Sequence, residues 1–162
     1  MKTLLILRHA KSSWENANLT DYERPLTSRG KQDAPRMGRL LLENDLTPDL
    51  IISSSAERAL TTAELVALNS GYEQEITVTR QLYHGDPEDY LEIVREKGGP
   101  HGRVMVVGHN PGLEALVEEL TSSYQIMPTA ALVQVNLPID SWADFTDDVS
   151  GELVGVWRPK EL

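Results

Sequence analysis

Short apolar runs alternate with stretches of helical periodicity along most of this chain. A continuous run of Leu, Ile and Val is typical of a strand that is buried on both faces, as in a parallel sheet. Because helical periodicity separates most of these runs, the pattern indicates parallel β-α-β units and an α/β fold. We predict strands at Leu4–Leu7, Leu50–Ile52, Ile76–Val78, Val104–Gly108 and Ala131–Leu137, with a weaker strand at Leu153–Trp157.

The first predicted helix begins near Thr27 or Ser28 and contains a proline. Either Pro35 marks a kink in this helix, or the regular helix begins only near Asp33 with the proline in its first turn. No long helix is predicted in the region after residue 131, so this region is expected to add antiparallel edge strands. The other predicted helices run from the serine cluster Ser53–Ser55, which is expected to cap the helix, to about Leu68, from Pro87 to Lys97 and from Pro111 to Ser122.

The length and the charge narrow the choice of partners. The chain has 162 residues, of which 40% are hydrophobic, so we predict a single domain over residues 1–162 with a sizeable core. Its 15 Lys and Arg residues against 25 Asp and Glu residues give a net charge of −10. A negative field of this size repels nucleic acid and anionic membrane surfaces, so neither is an expected partner. The sequence does not indicate an oligomeric state.

The absence of cysteine removes disulfides, thiolate nucleophiles and zinc sites built on thiolates. No apolar stretch is long enough to span a bilayer, and Arg8 and His9 interrupt the one apolar run near the N-terminus, so no signal peptide is indicated. We expect a cytoplasmic protein whose chemistry relies on His, Arg, Ser and carboxylate side chains.

Two of the histidines directly follow predicted strands. His9 comes with Arg8 after the first strand, and His109 comes after the strand that ends at residue 108. Arg58 lies in the first turn of the helix that follows the second strand. Because the carboxyl ends of parallel strands meet at one edge of a sheet, we expect these four side chains to share a crevice. Guanidinium groups and a helix N-terminus favour an anion there, and a phosphoryl group is the natural ligand.

Two other kinds of protein use similar residues. A metal hydrolase would place two arginines beside a divalent cation, which is repulsive, so we predict neither a metal ion nor another cofactor. A phosphate-binding module without turnover stays an alternative, because the same arginines suit either role.

Four motifs follow one another along nearly the whole chain: Leu7–Ser12, Arg24–Thr27 with Arg29-Gly30, Ser55–Ala59 with Thr62-Ala63, and Val107–Pro111. Together they resemble the histidine phosphatase superfamily, specifically its small SixA-like phosphohistidine phosphatase branch. Two departures are visible, since Ala10 stands where the superfamily usually has glycine and Ser54-Ser55 replaces a common serine-proline. The resemblance implies a phosphoglycerate mutase-like fold, with three α/β/α layers, a mainly parallel central sheet and antiparallel edge strands.

The resemblance also implies a role for each residue of the crevice. His9 is expected to be the nucleophile and to carry the phosphoryl group as a covalent phosphohistidine, with its second ring nitrogen donating to a backbone carbonyl. Arg8, Arg58 and His109 are expected to hold the equatorial oxygens of the phosphoryl group, with His109 acting as a cation.

Arg24 and His84 complete the set of candidate site residues. Arg24 either reaches the rim of the pocket or forms a structural ion pair with the nearby Asp21 or Glu23. His84 stands where larger relatives carry a glutamate, so either His84 donates the proton to the leaving group or no side chain does. The neighbouring Asp86 is instead expected to cap the helix that begins after it.

The missing carboxylate bears on the substrate. An alkoxide leaving group needs a proton donor, whereas the imidazole released from phosphohistidine can already carry a proton at neutral pH. We therefore predict a metal-independent phosphatase that acts on protein phosphohistidine, with a small-molecule phosphomonoesterase of the same superfamily as the alternative. A mutase is disfavoured because the short chain lacks the insertions that enclose a sugar phosphate in larger relatives. Away from the crevice, Glu114 is expected to face outward and Trp14 to be a core or surface-packing residue.

Overall fold

The computed structural model describes residues 1–162 and places six strands in one mixed sheet. The sheet has the order β3-β2-β4-β1-β5-β6, in which β1 to β4 run parallel and β5 is antiparallel to both of its neighbours. The α/β class with a mainly parallel sheet and antiparallel strands at one edge is therefore confirmed. The strands are β1 (Lys2–Arg8), β2 (Leu50–Ser54), β3 (Thr77–Thr79), β4 (Arg103–Gly108), β5 (Leu132–Leu137) and β6 (Glu152–Trp157).

Two separate cores, one on each face of the sheet, give the three predicted layers. Along β1, Leu5 and Leu7 belong to the core under the first two helices, while Leu4 and Ile6 belong to the core under the last two helices. Each such side chain contributes about 1.5–3 kcal/mol when fully buried, which explains why the strands read as continuous apolar runs. No helix is both long enough and apolar enough to cross a bilayer. The helices are α1 (Ser28–Glu43), α2 (Glu57–Ser70), α3 (Pro87–Lys97) and α4 (Gly112–Thr121).

Helix α1 is one continuous helix that contains Pro35, so the alternative start near Asp33 is wrong. The helix begins at Ser28 because Thr27 caps it, its Oγ1 accepting a hydrogen bond from the N–H of Gly30 at 3.1 Å. Pro35 has no backbone N–H, so the helix loses only the hydrogen bond to the carbonyl of Lys31. Lys31 is exposed to water. The proline is therefore tolerated inside the helix.

The serine cluster before α2 does not cap that helix, contrary to the sequence prediction. Ser53 and Ser54 are the last residues of β2, because the pairing of β2 with β3 extends as far as Ser54 and Thr79. Ala56 precedes the first turn of α2, and its N–H donates to Ser54 Oγ at 3.2 Å. The strand therefore delivers Ser54 to the carboxyl edge of the sheet, next to the loop that follows β4.

The register between β1 and β4 places the two strand-end histidines side by side. Arg8, the last residue of β1, pairs with Gly108, the last residue of β4. His9 and His109 therefore leave the sheet at the same level, and the backbone N–H of His9 donates to the Gly108 carbonyl at 3.1 Å. The parallel pairing of these two strands is what brings distant parts of the chain to one site.

Candidate active site at the carboxyl edge of the sheet

A cavity of about 350 Å³ opens where β1, β2 and β4 end. All six candidate residues from the sequence lie in its wall, together with side chains that the sequence did not single out, and none of the lining residues is a carboxylate. A larger surface hollow of about 690 Å³ beside α3 has mainly acidic walls and suits no phosphoryl group. The cavity is lined by Arg8, His9, Lys11, Ser12, Trp14, Arg24, Arg58, His84, His109, Asn110 and Thr129.

His9 is held as a neutral imidazole with one nitrogen available. Its Nδ1 lies 2.7 Å from the carbonyl oxygen of Ala10, and because a carbonyl can only accept, Nδ1 carries the proton and Nε2 keeps its lone pair. The pKa of His9 is lowered to about 4, mainly by burial, and the nearby arginines, Arg8 first among them, act in the same direction against the opposing effect of the Ala10 bond. The predicted hydrogen bond to a backbone carbonyl is thus present.

His109 lies beside His9, with 5.2 Å between the ring centroids. The pKa of His109 is lowered to about 3, chiefly by burial, and the neighbouring His9 and Arg58 disfavour its protonation as well. In the free protein His109 is therefore a neutral imidazole at pH 7, because burial outweighs the opposing charge of Asp21. The expected role of His109 as a cation with a phosphoryl group bound stays a prediction. The sequence placed the residue correctly but carried no information about its burial.

Ser54 contacts one of the two ring nitrogens of His109. Ser54 Oγ lies 2.8 Å from His109 Nε2 and already accepts a hydrogen bond from the N–H of Ala56. When the serine hydroxyl donates its own proton to Nε2, the proton of the neutral imidazole lies on Nδ1. His109 Nδ1 is buried and has no hydrogen-bond partner in the protein. This tautomer gives the site one buried N–H donor for an anion.

Asp21 anchors two of the arginines. Arg58 donates to the Asp21 backbone carbonyl at 2.7 Å and to its Oδ2 at 3.0 Å, while Arg24 donates to Oδ1 at 3.0 Å. Both interpretations of Arg24 therefore hold, since it lines the cavity and also forms an ion pair with Asp21. The other carboxylate considered for this pair, Glu23, instead accepts hydrogen bonds from Thr20.

The Asp21 carboxylate is fully engaged. Partial burial alone would raise the pKa of Asp21, but hydrogen bonds from Tyr83, Arg24 and Arg58 outweigh burial and hold the pKa well below its usual range. Tyr83 makes its contact through the hydroxyl group at 2.7 Å. The carboxylate is therefore a fixed counter-charge, and it is unsuited to donating a proton. The sequence offered one signal for this role, the spacing of Asp21 and Arg24.

Arg8 is fixed from the opposite side of the cavity. Its NH1 group donates to the Met127 carbonyl at 3.1 Å, and its Nε is buried without a partner in the protein. Glu114 does not face outward as expected, because its Oε2 accepts from the backbone N–H of Met127 at 2.8 Å and from Asn110 Nδ2 at 3.1 Å. Glu114 thereby ties the segment that holds Arg8 to the start of α4.

His84 lies on the rim, where 63% of its side chain is exposed. Its ring lies against that of Tyr83, with 4.1 Å between centroids and a tilt of 37°, and its Nε2 lies 3.7 Å from Asp21 Oδ2. Its φ of +58° lies in the left-handed region, which few non-glycine residues adopt. Asp86 caps α3 as predicted, with its side chain accepting from the N–H of Asp89, so it is occupied outside the cavity.

Trp14 is a surface residue, 76% exposed, and it lies in the cavity wall. The guanidinium carbon of Arg24 lies 3.2 Å from the centre of its ring, a cation–π contact that covers one face of the arginine. Sequence alone gave no sign of this contact, because the loop between β1 and α1 has no regular periodicity.

The fold and the site together define the class of protein to which this chain belongs. Three buried or half-buried arginines and two neutral histidines surround a cavity at the carboxyl edge of a three-layer α/β sheet, as in proteins that hold a tetrahedral oxyanion. The model of the histidine phosphatase superfamily (branch 1) matches residues 4–90, which is more than half of the chain. The chain therefore belongs to the histidine phosphatase superfamily, and it is similar to the SixA-like branch.

Solved structures support the SixA-like assignment. The Agrobacterium tumefaciens protein assigned as phosphohistidine phosphatase SixA is 25% identical, with a TM-score of 0.83 over 98% of each chain. The protein histidine phosphatase SixA complexed with tungstate has a TM-score of 0.84 at 23% identity, again over 98% of each chain. A mycobacterial glucosyl-3-phosphoglycerate phosphatase shares the fold at 17% identity, with a TM-score of 0.70 over 97% of this chain and 98% of that one.

Relatives found by sequence differ in length. An uncharacterized chloroplastic protein of Arabidopsis thaliana is 31% identical over 82% of this chain, which spans 66% of the relative. An uncharacterized Mycobacterium leprae protein is 26% identical over 96% of this chain and 92% of its own length. The match to a 2,3-bisphosphoglycerate-dependent phosphoglycerate mutase of Mycobacterium leprae, at 43% identity, covers 39% of this chain and 26% of that enzyme.

Proposed function

We propose that this protein is a phosphatase that transfers a phosphoryl group to His9 Nε2 and then to water. The observation that carries this proposal is the Nδ1 hydrogen bond of His9 to the Ala10 carbonyl, which leaves an unprotonated Nε2 in a cavity lined by arginines. The Nε2 lone pair attacks phosphorus as the bond to the leaving group breaks, and a water molecule then attacks the phosphohistidine and releases inorganic phosphate.

Arg8, Arg58 and His109 are the proposed ligands of the phosphoryl oxygens, with Arg24 at the edge of the cavity. Arg8 Nε and His109 Nδ1 are buried nitrogens without protein partners, so an oxyanion satisfies both. A phosphoryl dianion also supplies the counter-charge that raises the pKa of His109, so a proton is taken up as the anion binds. Removing one such donor typically slows a reaction by about 10²–10³.

The proposed substrate is a phosphohistidine on another protein. No carboxylate lines the cavity, and Asp21 is engaged by three donors, which leaves no carboxylic acid to protonate an alkoxide. A phosphohistidine releases imidazole, whose leaving nitrogen takes a proton readily near neutral pH. We assign His84, at the exposed rim, as the donor of that proton.

Phosphoenzyme trapping tests this proposal. Wild type and His9→Ala are mixed with a phosphoramidate and, in parallel, with an aryl phosphate, and the protein is quenched and examined for acid-labile phosphate. We expect label on wild type and none on His9→Ala, with steady-state turnover of the phosphoramidate exceeding that of the aryl phosphate.

Three other outcomes would contradict parts of the proposal. Trapping from neither substrate would remove the nucleophile and favour a phosphate-binding module. Faster turnover of the aryl phosphate would favour a small-molecule phosphomonoesterase. Loss of activity in excess chelator would show that a metal ion takes part.

A further inference from the structure

A second hollow of about 340 Å³ adjoins the proposed active site. It shares Arg8, Lys11 and Thr129 with the catalytic cavity, and it adds Arg29 and Lys160. We call this hollow the basic annex. Because three residues line both spaces, a ligand held at His9 extends into the annex without crossing another element.

The charge of the basic annex is opposite to that of the chain. Four basic side chains line it against one carboxylate, Asp33, which lies 3.6 Å from Arg29. No carboxylate of the annex wall faces Arg8, Lys11 or Lys160 within ion-pair distance. In a protein of net charge −10, this concentration of cations attracts a negatively charged group locally.

The annex is held by the C-terminal turn as well as by the active-site loops. Arg36 on α1 donates to the carbonyl of Pro159 at 3.1 Å and to that of Leu162 at 2.8 Å. These bonds fix the turn that carries Lys160 beside the start of α1. The side chain of Lys160 itself is exposed, so it is free to meet a ligand.

We propose that the basic annex binds a carboxylate side chain of the phosphorylated polypeptide, close to its phosphohistidine. This inference rests on the proposed function. An acidic polypeptide is repelled by the protein as a whole, and the annex supplies the local attraction that orients it over His9. Exposed lysine and arginine side chains suit such a carboxylate, whose binding is moderate and depends on salt.

Peptide binding to His9→Ala tests the annex separately from catalysis, because this variant keeps the arginines and cannot form the phosphoenzyme. Two phosphohistidine peptides are compared by calorimetry, identical except for Glu or Gln on both sides of the phosphohistidine. We expect the Glu peptide to bind about two- to five-fold more tightly at low salt. Adding Lys160→Gln should bring this ratio close to one.

The control is Lys97→Gln, which makes the same change of charge at the end of α3, outside the annex. It should leave the ratio between the two peptides unchanged. Equal binding of the two peptides, or a ratio that Lys160→Gln does not alter, would overturn the proposal. A preference seen only for 4-carboxyphenyl phosphate over phenyl phosphate would overturn the polypeptide as the source of the carboxylate. Failure of wild type to release phosphate would instead count against the proposed function.

Discussion

Acidification tests the environment of His9 directly. A free imidazole with a pKa of about 6.5 is only about 3% neutral at pH 5, whereas a pKa of about 4 leaves about 90% neutral. Burial is the main cause of the shift, and the neighbouring arginines add to it. We therefore expect the His9 imidazole of the free protein to stay unprotonated well below pH 6, so that the proposed nucleophile is still available there.

The same shift makes stability depend on pH. The folded state disfavours the proton that the unfolded state binds below about pH 6.5, so the contribution of His9 is present above that pH and is lost as the pH falls towards 4. Each pH unit in this window costs about 1.4 kcal/mol, which gives about 2 kcal/mol for His9 between pH 6.5 and pH 5. His109 acts in the same direction, and the two sites are coupled.

Nuclear magnetic resonance of the ring nitrogens measures the titration, with His9→Gln used to assign the His9 signals. Denaturant unfolding of wild type and His9→Gln at about pH 7.5 and pH 5 measures how protonation of His9 changes the free energy of unfolding. We expect wild type to lose about 2 kcal/mol more than His9→Gln over this interval. A His9 midpoint near 6.5, or equal losses in the two proteins, would refute the account of the buried imidazole.

Three further substitutions test individual contacts. Ser54→Ala should lower the rate of phosphoryl transfer by about ten-fold or more, because the Nδ1–H tautomer of His109 loses its support, and nitrogen chemical shifts would report the tautomer. Asp21→Asn should destabilise the fold by about 1–2 kcal/mol in denaturant unfolding at neutral pH, since charge-assisted hydrogen bonds become neutral ones. Gly108→Ala should cost about 1–3 kcal/mol, because a Cβ there would collide with the Tyr90 hydroxyl, and an unchanged unfolding midpoint would contradict this packing.

The sequence alone was sufficient to predict the strands of the sheet and the residues at its carboxyl edge. His9 and His109 could be placed together because each ends an apolar run, and parallel strands bring such ends to one edge. Asp21 could not be placed in the same way. Its partners Arg58 and Tyr83 are 37 and 62 positions away, and the loop that carries Asp21 has no period from which its direction could be read.

The sequence alone also could not predict where the helices and strands end or which polar groups are buried. Serines are good helix caps in isolation, but the pairing of β2 with β3 drew Ser54 into the sheet. Glutamate on a helix is usually solvated, but the segment around Met127 folds back over Glu114 and supplies donors to it. Both outcomes depend on tertiary contacts between residues that are distant in the chain.

The histidines and the arginines of the site have different electrostatic roles. The arginines are charged at any physiological pH, and Asp21 holds Arg58 in place before a ligand arrives, so little reorganisation is needed on binding. The same positive charges, added to burial, keep His9 neutral, which its proposed role as the nucleophile requires. A phosphoryl dianion cancels part of that field, which favours protonation of His109 only when the substrate is in place. In the proposed mechanism, the nucleophile is thus ready first and the additional positive charge appears with the substrate.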